Sequence, residues 1–148
     1  MLPEFVTTYL ADNGVGTAGV NLFTASQPDH AVAGNCVTVY GESSFTPAVA
    51  NSCLVNTEGI HILIRNRSYL TASATAQAIH GLLADFAGTL APDAPFVVMT
   101  TITTQPTPIG KDKKDFHEFT IHYAMRYTAP EGRFRAADPV LYYTPATS

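Results

Sequence analysis

The feature that most constrains the fold is an unbroken alternation of apolar and polar residues over positions 118–127. The apolar positions are Phe119, Ile121, Tyr123, Met125 and Tyr127, and the positions between them are Glu118, Thr120, His122, Ala124 and Arg126. Period two is typical of a β-strand with one buried face, because successive side chains point to opposite sides. Ten such residues span about 33 Å. The segment therefore predicts one long strand in a sheet that needs a covering layer.

Weaker patterns predict three further strands. Residues 36–41 carry Val37 and Val39 on one face, and the isoleucines at positions 60, 62 and 64 alternate with other residues over 60–65. Residues 96–105 are rich in Val, Ile and Thr, which favour strands. The polar stretch 42–56 and the Pro/Gly- and charge-containing stretch 107–115 are predicted to be connections.

Helical spacing predicts two helices. The first begins at Pro3, places Phe5, Val6, Tyr9 and Leu10 on one face, and ends at Asn13-Gly14. The second covers 69–86 behind an N-cap at Ser68. Gly81 inside it costs roughly 1 kcal/mol relative to Ala, so we expect close packing at that position.

These elements predict a single α+β domain over residues 1–129. Its fold class is a four-stranded, mostly antiparallel sheet with the helices packed on one face, in the order α-β-β-α-β-β. Residues 130–148 have no sustained period and are predicted to be an extended C-terminal arm with apolar anchors such as Phe134, Tyr142 and Tyr143. Aromatic residues on such an extension favour anchoring on another subunit. Folding back on its own domain remains an equal alternative.

Composition excludes several classes of protein. The chain has 148 residues, is 46% hydrophobic and has no run of about 18 apolar residues, so neither wholesale disorder nor a membrane span is expected. No signal peptide is recognisable at the start. Two cysteines, Cys36 and Cys53, make neither a disulfide framework nor a zinc site. Residues 1–110 hold seven acidic and two basic residues, and 111–148 hold five acidic and six basic, so no basic stripe predicts nucleic-acid binding.

No pattern of reactive residues predicts an enzyme. The five histidines lack metal-ligand spacing, and the carboxylates near 112–118 are interleaved with lysines, which favours a salt-bridged or partner-docking loop. Cys53 has no nucleophile motif around it. Glycines 14, 16 and 19 match G-x-G-x-x-G but follow a helix rather than a strand, so a turned connector is the better interpretation. No cofactor, metal or catalytic residue is predicted.

The layout resembles the tail terminator (tail-completion, or minor capsid) proteins of long-tailed bacteriophages. The resembling segments are GVGTAGVNLF at 14–23, SQPDH at 26–30, GIHILIR at 59–65 leading into the alanine-rich helix, and PTPIGKD at 106–112. The resemblance covers residues 1–128. The arm after Pro130 is longer than the family ending, and the loop at 113–116 replaces a smaller turn.

The resemblance implies a virion structural protein assembled in the host cytoplasm. It implies a homohexameric ring that caps the tail tube, stops tube polymerisation and joins the tail to the head connector. The implied partners are further copies of the chain, the tail-tube protein and a connector or head-completion protein. DNA would pass an acidic or neutral lumen without specific binding, and no membrane is involved.

Two alternatives stay open beside this interpretation. One is a head-completion or tail-tube subunit; the other, of a different class, is a small-ligand binding module that uses an open sheet face with Tyr123 and Tyr127. For subunit or partner contacts we expect the 106–116 loop, the 130–148 arm and the exposed face of the last strand, with the 42–56 connection next. The residues are Ile109, Lys111, Asp112, Lys113, Lys114, Asp115, His122, Arg126, Phe134, Tyr142 and Tyr143.

Overall fold

The computed structural model describes residues 2–24, 34–42 and 55–128. The elements, in chain order, are α1 (Leu2–Asp12), β1 (Leu22–Thr24), β2 (Cys36–Glu42), β3 (Val55–Asn66), α2 (Tyr69–Leu83), β4 (Gly88–Thr89), β5 (Phe96–Lys111) and β6 (His117–Thr128). Among these residues, no helix is long and apolar enough to cross a membrane.

One mixed sheet contains all the described strands, in the order β1-β2-β3-β6-β5-β4. The α+β class and the four long strands are confirmed, but the four-stranded, mostly antiparallel description is incomplete. Two short strands, β1 and β4, extend the sheet at its two edges, and β1 runs parallel to β2. Strands of three and two residues are too short to show a period-two pattern, so the sequence carried no signal for them.

The core lies between the sheet and the two helices. The alternation in β6 is confirmed, since Phe119, Ile121, Tyr123 and Met125 are buried on the helix-covered face. The same face receives Val37 and Val39 from β2 and Ile60, Ile62 and Ile64 from β3. The helices contribute Val6, Leu10, Ala72, Ala76, Ile79 and Leu83. Each fully buried Leu or Ile stabilises the fold by about 1.5–3 kcal/mol, so this layer is the main source of stability.

The helix boundaries follow local capping chemistry. The Ser68 side chain accepts a hydrogen bond from Thr71 N at 3.2 Å, which confirms the predicted N-cap of α2. The helix ends at Leu83 rather than Phe86 because Ala84 is extended and Asp85 takes a positive φ of 59°. The expectation of close packing at Gly81 is wrong, since a Cβ there would meet nothing within 4 Å.

Strand β5 continues six residues beyond its predicted end. Residues 106–111 were predicted to be part of a loop, yet they pair with β6, for example Pro108 with Phe119 and Lys111 with His117. Proline is compatible with an edge strand, where its missing N–H costs no ladder bond. The register shifts four times along the β5–β6 pair, so β5 is an irregular strand and the true turn is confined to 112–116.

Candidate subunit and partner interface

The tip of the β5–β6 hairpin is built around one carboxylate. Asp112 Oδ1 accepts hydrogen bonds from Lys114 N at 2.8 Å and Phe116 N at 3.0 Å. Asp112 Oδ2 accepts two more from Arg65 on β3, from Nε at 3.0 Å and from Nη2 at 2.6 Å. Partial burial opposes ionisation, but these hydrogen bonds and the arginine charge outweigh it and lower the pKa of Asp112 to about 2. The turn is therefore closed and tied to a central strand.

An arginine–aromatic stack completes this anchor. The Arg65 guanidinium lies 4.1 Å from the centroid of the Phe116 ring, and that of Arg67 lies 4.6 Å away. Phe116 is 1% exposed and Arg65 is 9% exposed, so both are buried at the base of the tip. Glu118 Oε2 lies 3.7 Å from Arg65 Nε. Burial and the neighbouring Asp112 raise the pKa of Glu118, and Arg65 opposes this.

The alternating charges of the loop therefore divide into two groups. Asp112 is a structural acceptor at the base of the tip, which corrects the picture of a uniformly solvated loop. Lys111, Lys113, Lys114 and Asp115 are exposed around it, and Lys111 Nζ lies 3.7 Å from Asp115 Oδ1. Asp115 has a positive φ of 68°, which turns the chain back toward β6. The exposed lysines of the tip are therefore held on a turn that Asp112 and Arg65 fix in place.

The second face of the sheet, away from the helices, is partly closed by its own side chains. The rings of His61 and His122 stack with centroids 4.2 Å apart and planes 6° apart. Tyr40 stacks on His61 at 5.5 Å, and His61 Nε2 lies 2.6 Å from Thr120 Oγ1. Thr120 is only 9% exposed, so the expectation of an exposed polar row on β6 holds for Arg126 but not for Thr120. His122 is half-buried.

The predicted contact residues fall into three places. The hairpin tip brings together Lys111, Asp112, Lys113, Lys114 and Asp115, while His122 and Arg126 lie on the second face. Ile109 lies on β5 and is exposed. Phe134, Tyr142 and Tyr143, like the whole 130–148 arm, lie outside the described residues, as does most of the 42–56 connection.

The small-ligand alternative required Tyr123 and Tyr127 on an open sheet face, and the structure does not place them there. Tyr123 and Tyr127 lie on the helix-covered face rather than on the second face. Tyr123 is buried with its hydroxyl 2.9 Å from His80 Nδ1, and burial raises its pKa. A cavity of about 570 Å³ lies elsewhere, between Val15 after α1 and Leu70 and Ala74 on α2.

In the part of the chain that the structure describes, no group of three or more His, Cys, Asp or Glu side chains is placed to hold a metal ion.

Sequence reasoning missed two features of this surface. Arg65 and Phe116 form the anchor of the tip, and their only signal was an arginine at the end of the isoleucine-rich strand and an aromatic residue beside the charged loop. The second feature is an exposed apolar group on β5, formed by Phe96, Val98 and Met99. Its signal was a run of four apolar residues, which does not indicate which of them face inward.

Comparison with known proteins identifies the class and then the family. The fold is similar to that of a chain in the structure titled "Virion of native gene transfer agent (GTA) particle", with a TM-score of 0.57 and 15% sequence identity over 84% of each chain. That likeness shows a fold shared with a virion component. Residues 9–129 match the family described as "Bacteriophage tail terminator protein", and the chain belongs to this family. It is a structural protein of the phage tail, located in the virion. No curated protein sequence matches it.

Proposed function

We propose that the protein closes the tail tube as a ring of identical subunits, stops further tube polymerisation and joins the tail to the head connector. Family membership over residues 9–129 is the observation that carries this proposal. Six copies are the ring number that the family resemblance implies. The tail-tube protein below the ring and a connector or head-completion protein above it are the proposed partners, with assembly in the host cytoplasm.

The two edges of the sheet support a ring that closes. At one edge β1 has three residues, and at the other β5 has sixteen residues, of which β4 covers only two. A contact in which one surface of a subunit meets a different surface of the next subunit is heterologous. Such contacts terminate when the rotation closes. Unlike edges therefore suit a ring of defined size better than a symmetric pair.

The hairpin tip supports docking to a partner of the ring. Arg65 and Asp112 hold the turn in one geometry, so Lys113 and Lys114 project from a fixed position. A preorganised contact loses little conformational freedom on binding. We propose that this tip, with Ile109 and Lys111 beside it, meets an acidic surface on a tail or head partner.

The charge balance supports passage of DNA through the ring. Residues 1–110 hold seven acidic residues and two basic ones, Arg65 and Arg67. Arg65 is paired with Asp112, so Arg67 is the exposed basic residue of this part of the chain and seven acidic residues outweigh it. A lumen formed from such a surface repels DNA weakly and lets it slide.

The test is to add the purified chain to growing tail tubes. Tail-tube protein would be polymerised with and without the full chain, tube length measured by electron microscopy, and subunit number measured by light scattering. We expect rings at one tube end and arrest of growth. Binding without arrest, or a chain that stays monomeric beside tubes, contradicts the proposal. Growth of the chain alone into long tubes would instead identify a tube subunit.

A further inference from the structure

Strand β5 carries a long edge that no described strand covers. Only Phe96 and Val97 pair with β4, so residues 98–111 have β6 on one side and no described partner on the other. Such an edge offers a row of backbone N–H and C=O groups to any chain that can lie beside it. At about 3.3 Å per residue it extends for roughly 46 Å.

The two halves of this edge differ chemically. Pro106 and Pro108 lack N–H groups, so residues 106–111 cannot template a complete ladder. Residues 98–105 contain no proline, glycine or charged residue and are rich in Val, Ile and Thr, which favour strands. We call residues 98–105 the open edge. Monomeric proteins usually protect such a stretch with charges or prolines, and in β5 these residues lie in 106–111 rather than in the open edge.

Apolar exposure is concentrated where the open edge begins. Phe96, Val98 and Met99 are 50%, 45% and 43% exposed, whereas Val97 and Thr100 beside them are buried. An added strand would therefore gain backbone hydrogen bonds along the open edge and apolar contacts at its start. This combination is the one that β-strand addition uses, with main-chain bonds for affinity and side-chain contacts for specificity.

The chain itself contains a segment of strand-favouring composition outside the described residues. Residues 140–144, Val-Leu-Tyr-Tyr-Thr, have high strand propensity and contain no charge. The arm that carries them leaves the domain after Thr128, whose Oγ1 lies 3.5 Å from Phe96 O, beside the start of the open edge. The arm is therefore tethered close to an edge of the kind it fits.

Topology favours the open edge of a neighbouring copy over the arm's own. The arm leaves β6 on one side of β5, whereas the open edge is the other side of β5, so within one chain the arm would have to pass around the start of β5. β4 pairs with Phe96 and Val97 and occupies the corner that the arm would have to pass. The open edge of a neighbouring copy can be approached without passing this corner.

We infer that residues 140–144 of one copy add as a strand to the open edge, residues 98–105, of the next copy. The inference rests on the proposed ring, because it supplies the contact that links successive subunits. Each subunit gives one arm and receives one, which is a heterologous contact able to close.

Hydrogen exchange on the full-length chain tests the inference. Exchange at 98–105 would be followed by mass spectrometry in dilute protein and in protein assembled on tail tubes. We expect assembly to slow exchange at 98–105 and to leave 107–111 unchanged. The double variant Leu141→Lys and Tyr143→Lys should lose this protection, whereas Ala146→Lys adds charge outside the proposed strand and should keep it.

The outcomes separate this inference from the proposed function. Rings that cap tubes while 98–105 exchanges as fast as in dilute protein overturn the inference and leave the function standing. Protection on self-association without capping overturns the function and supports the contact. Protection that is already complete in dilute protein places the strand in cis, and a lowered melting temperature of the dilute double variant places the arm in the core. Both results overturn the inference.

Discussion

At the scale of single residues, Arg65 is the side chain that holds the hairpin tip against the sheet. It lies on the second face of the sheet, pairs with Asp112 at 2.6 Å and packs on the buried Phe116 ring. A charge at 9% exposure must be paired, because an uncompensated buried charge is strongly destabilising. The arginine and the hairpin tip therefore stabilise one another, and loss of either partner has consequences for both.

Replacement of Asp112 by Asn should destabilise the fold by about 1–2 kcal/mol at pH 7, allowing for solvent screening at a partly exposed carboxylate. Asn keeps an acceptor for the turn but removes the charge that pairs with Arg65. Urea unfolding of both proteins measures the difference. Arg65→Lys is a useful companion, because it keeps the charge and loses the planar guanidinium whose Nε and Nη2 both donate to Asp112 Oδ2.

The same carboxylate predicts a pH dependence. The pKa of Asp112 is lowered to about 2 in the folded protein, so its contribution is complete above the ordinary value near 4 and is lost as pH falls from 4 through 2. Glu118, whose pKa is raised, has the opposite effect on stability. Its contribution is present at low pH and is lost as pH rises above its ordinary value. The wild type should lose more stability than Asp112→Asn between pH 4 and 2. Parallel curves for the two proteins would contradict the assignment.

At the scale of elements, strands with a strong period-two pattern could be predicted from the sequence. Short strands and the end of the edge strand could not. β6 and the core face of β3 were predictable because burial of one side demands alternation. The end of β5 was not, because Pro106 and Pro108 indicate a loop in isolation and only the pairing with β6 makes them part of an edge strand. Arg65 was beyond sequence reasoning, since its partner lies 47 residues away.

Two glycines allow a matched test of packing between elements. A Cβ on Gly41 of β2 would lie 2.8 Å from Pro3 Cγ of α1, so Gly41→Ala forces helix and strand apart and should cost about 1–3 kcal/mol. Gly81→Ala adds a methyl group into open space within α2 and should stabilise by about 0.5–1 kcal/mol. Thermal unfolding measures both. Equal effects of the two changes would show that α1 does not pack closely on β2.

At the scale of the whole molecule, the two ends of the sheet differ in charge. One end carries the exposed Lys111, Lys113 and Lys114 of the hairpin tip. The other carries Glu58, Asp85 and Asp93 beside a single exposed base among the described residues, Arg126, so the charge of these residues is negative. A ring of such subunits would present a more basic rim and a more acidic rim. In the proposed ring, this asymmetry would give two distinguishable sides, which a junction between head and tail requires.

Reversal of the tip charge should weaken partner docking without affecting the fold. The double variant Lys113→Glu and Lys114→Glu should slow association with tail or head partners by about tenfold or more at low salt, with little change in melting temperature. Lys113→Arg with Lys114→Arg keeps the charge and is the matched control. Biosensor association rates at several salt concentrations measure the effect. A reversed-charge variant that associates at the wild-type rate would exclude the tip from docking.

If the tip docks as proposed, the contact between Arg65 and Asp112 would also couple docking to correct folding. Arg65 reaches Asp112 only because β3 pairs with β2 and β6 in one register, and a slip of one residue would turn Arg65 toward the helices. A subunit with a misaligned sheet would then lack the support that sets its lysines. With the proposed docking role of the tip, such a molecule would fail at the surface where it joins a particle, and misfolded copies would be kept out of finished virions.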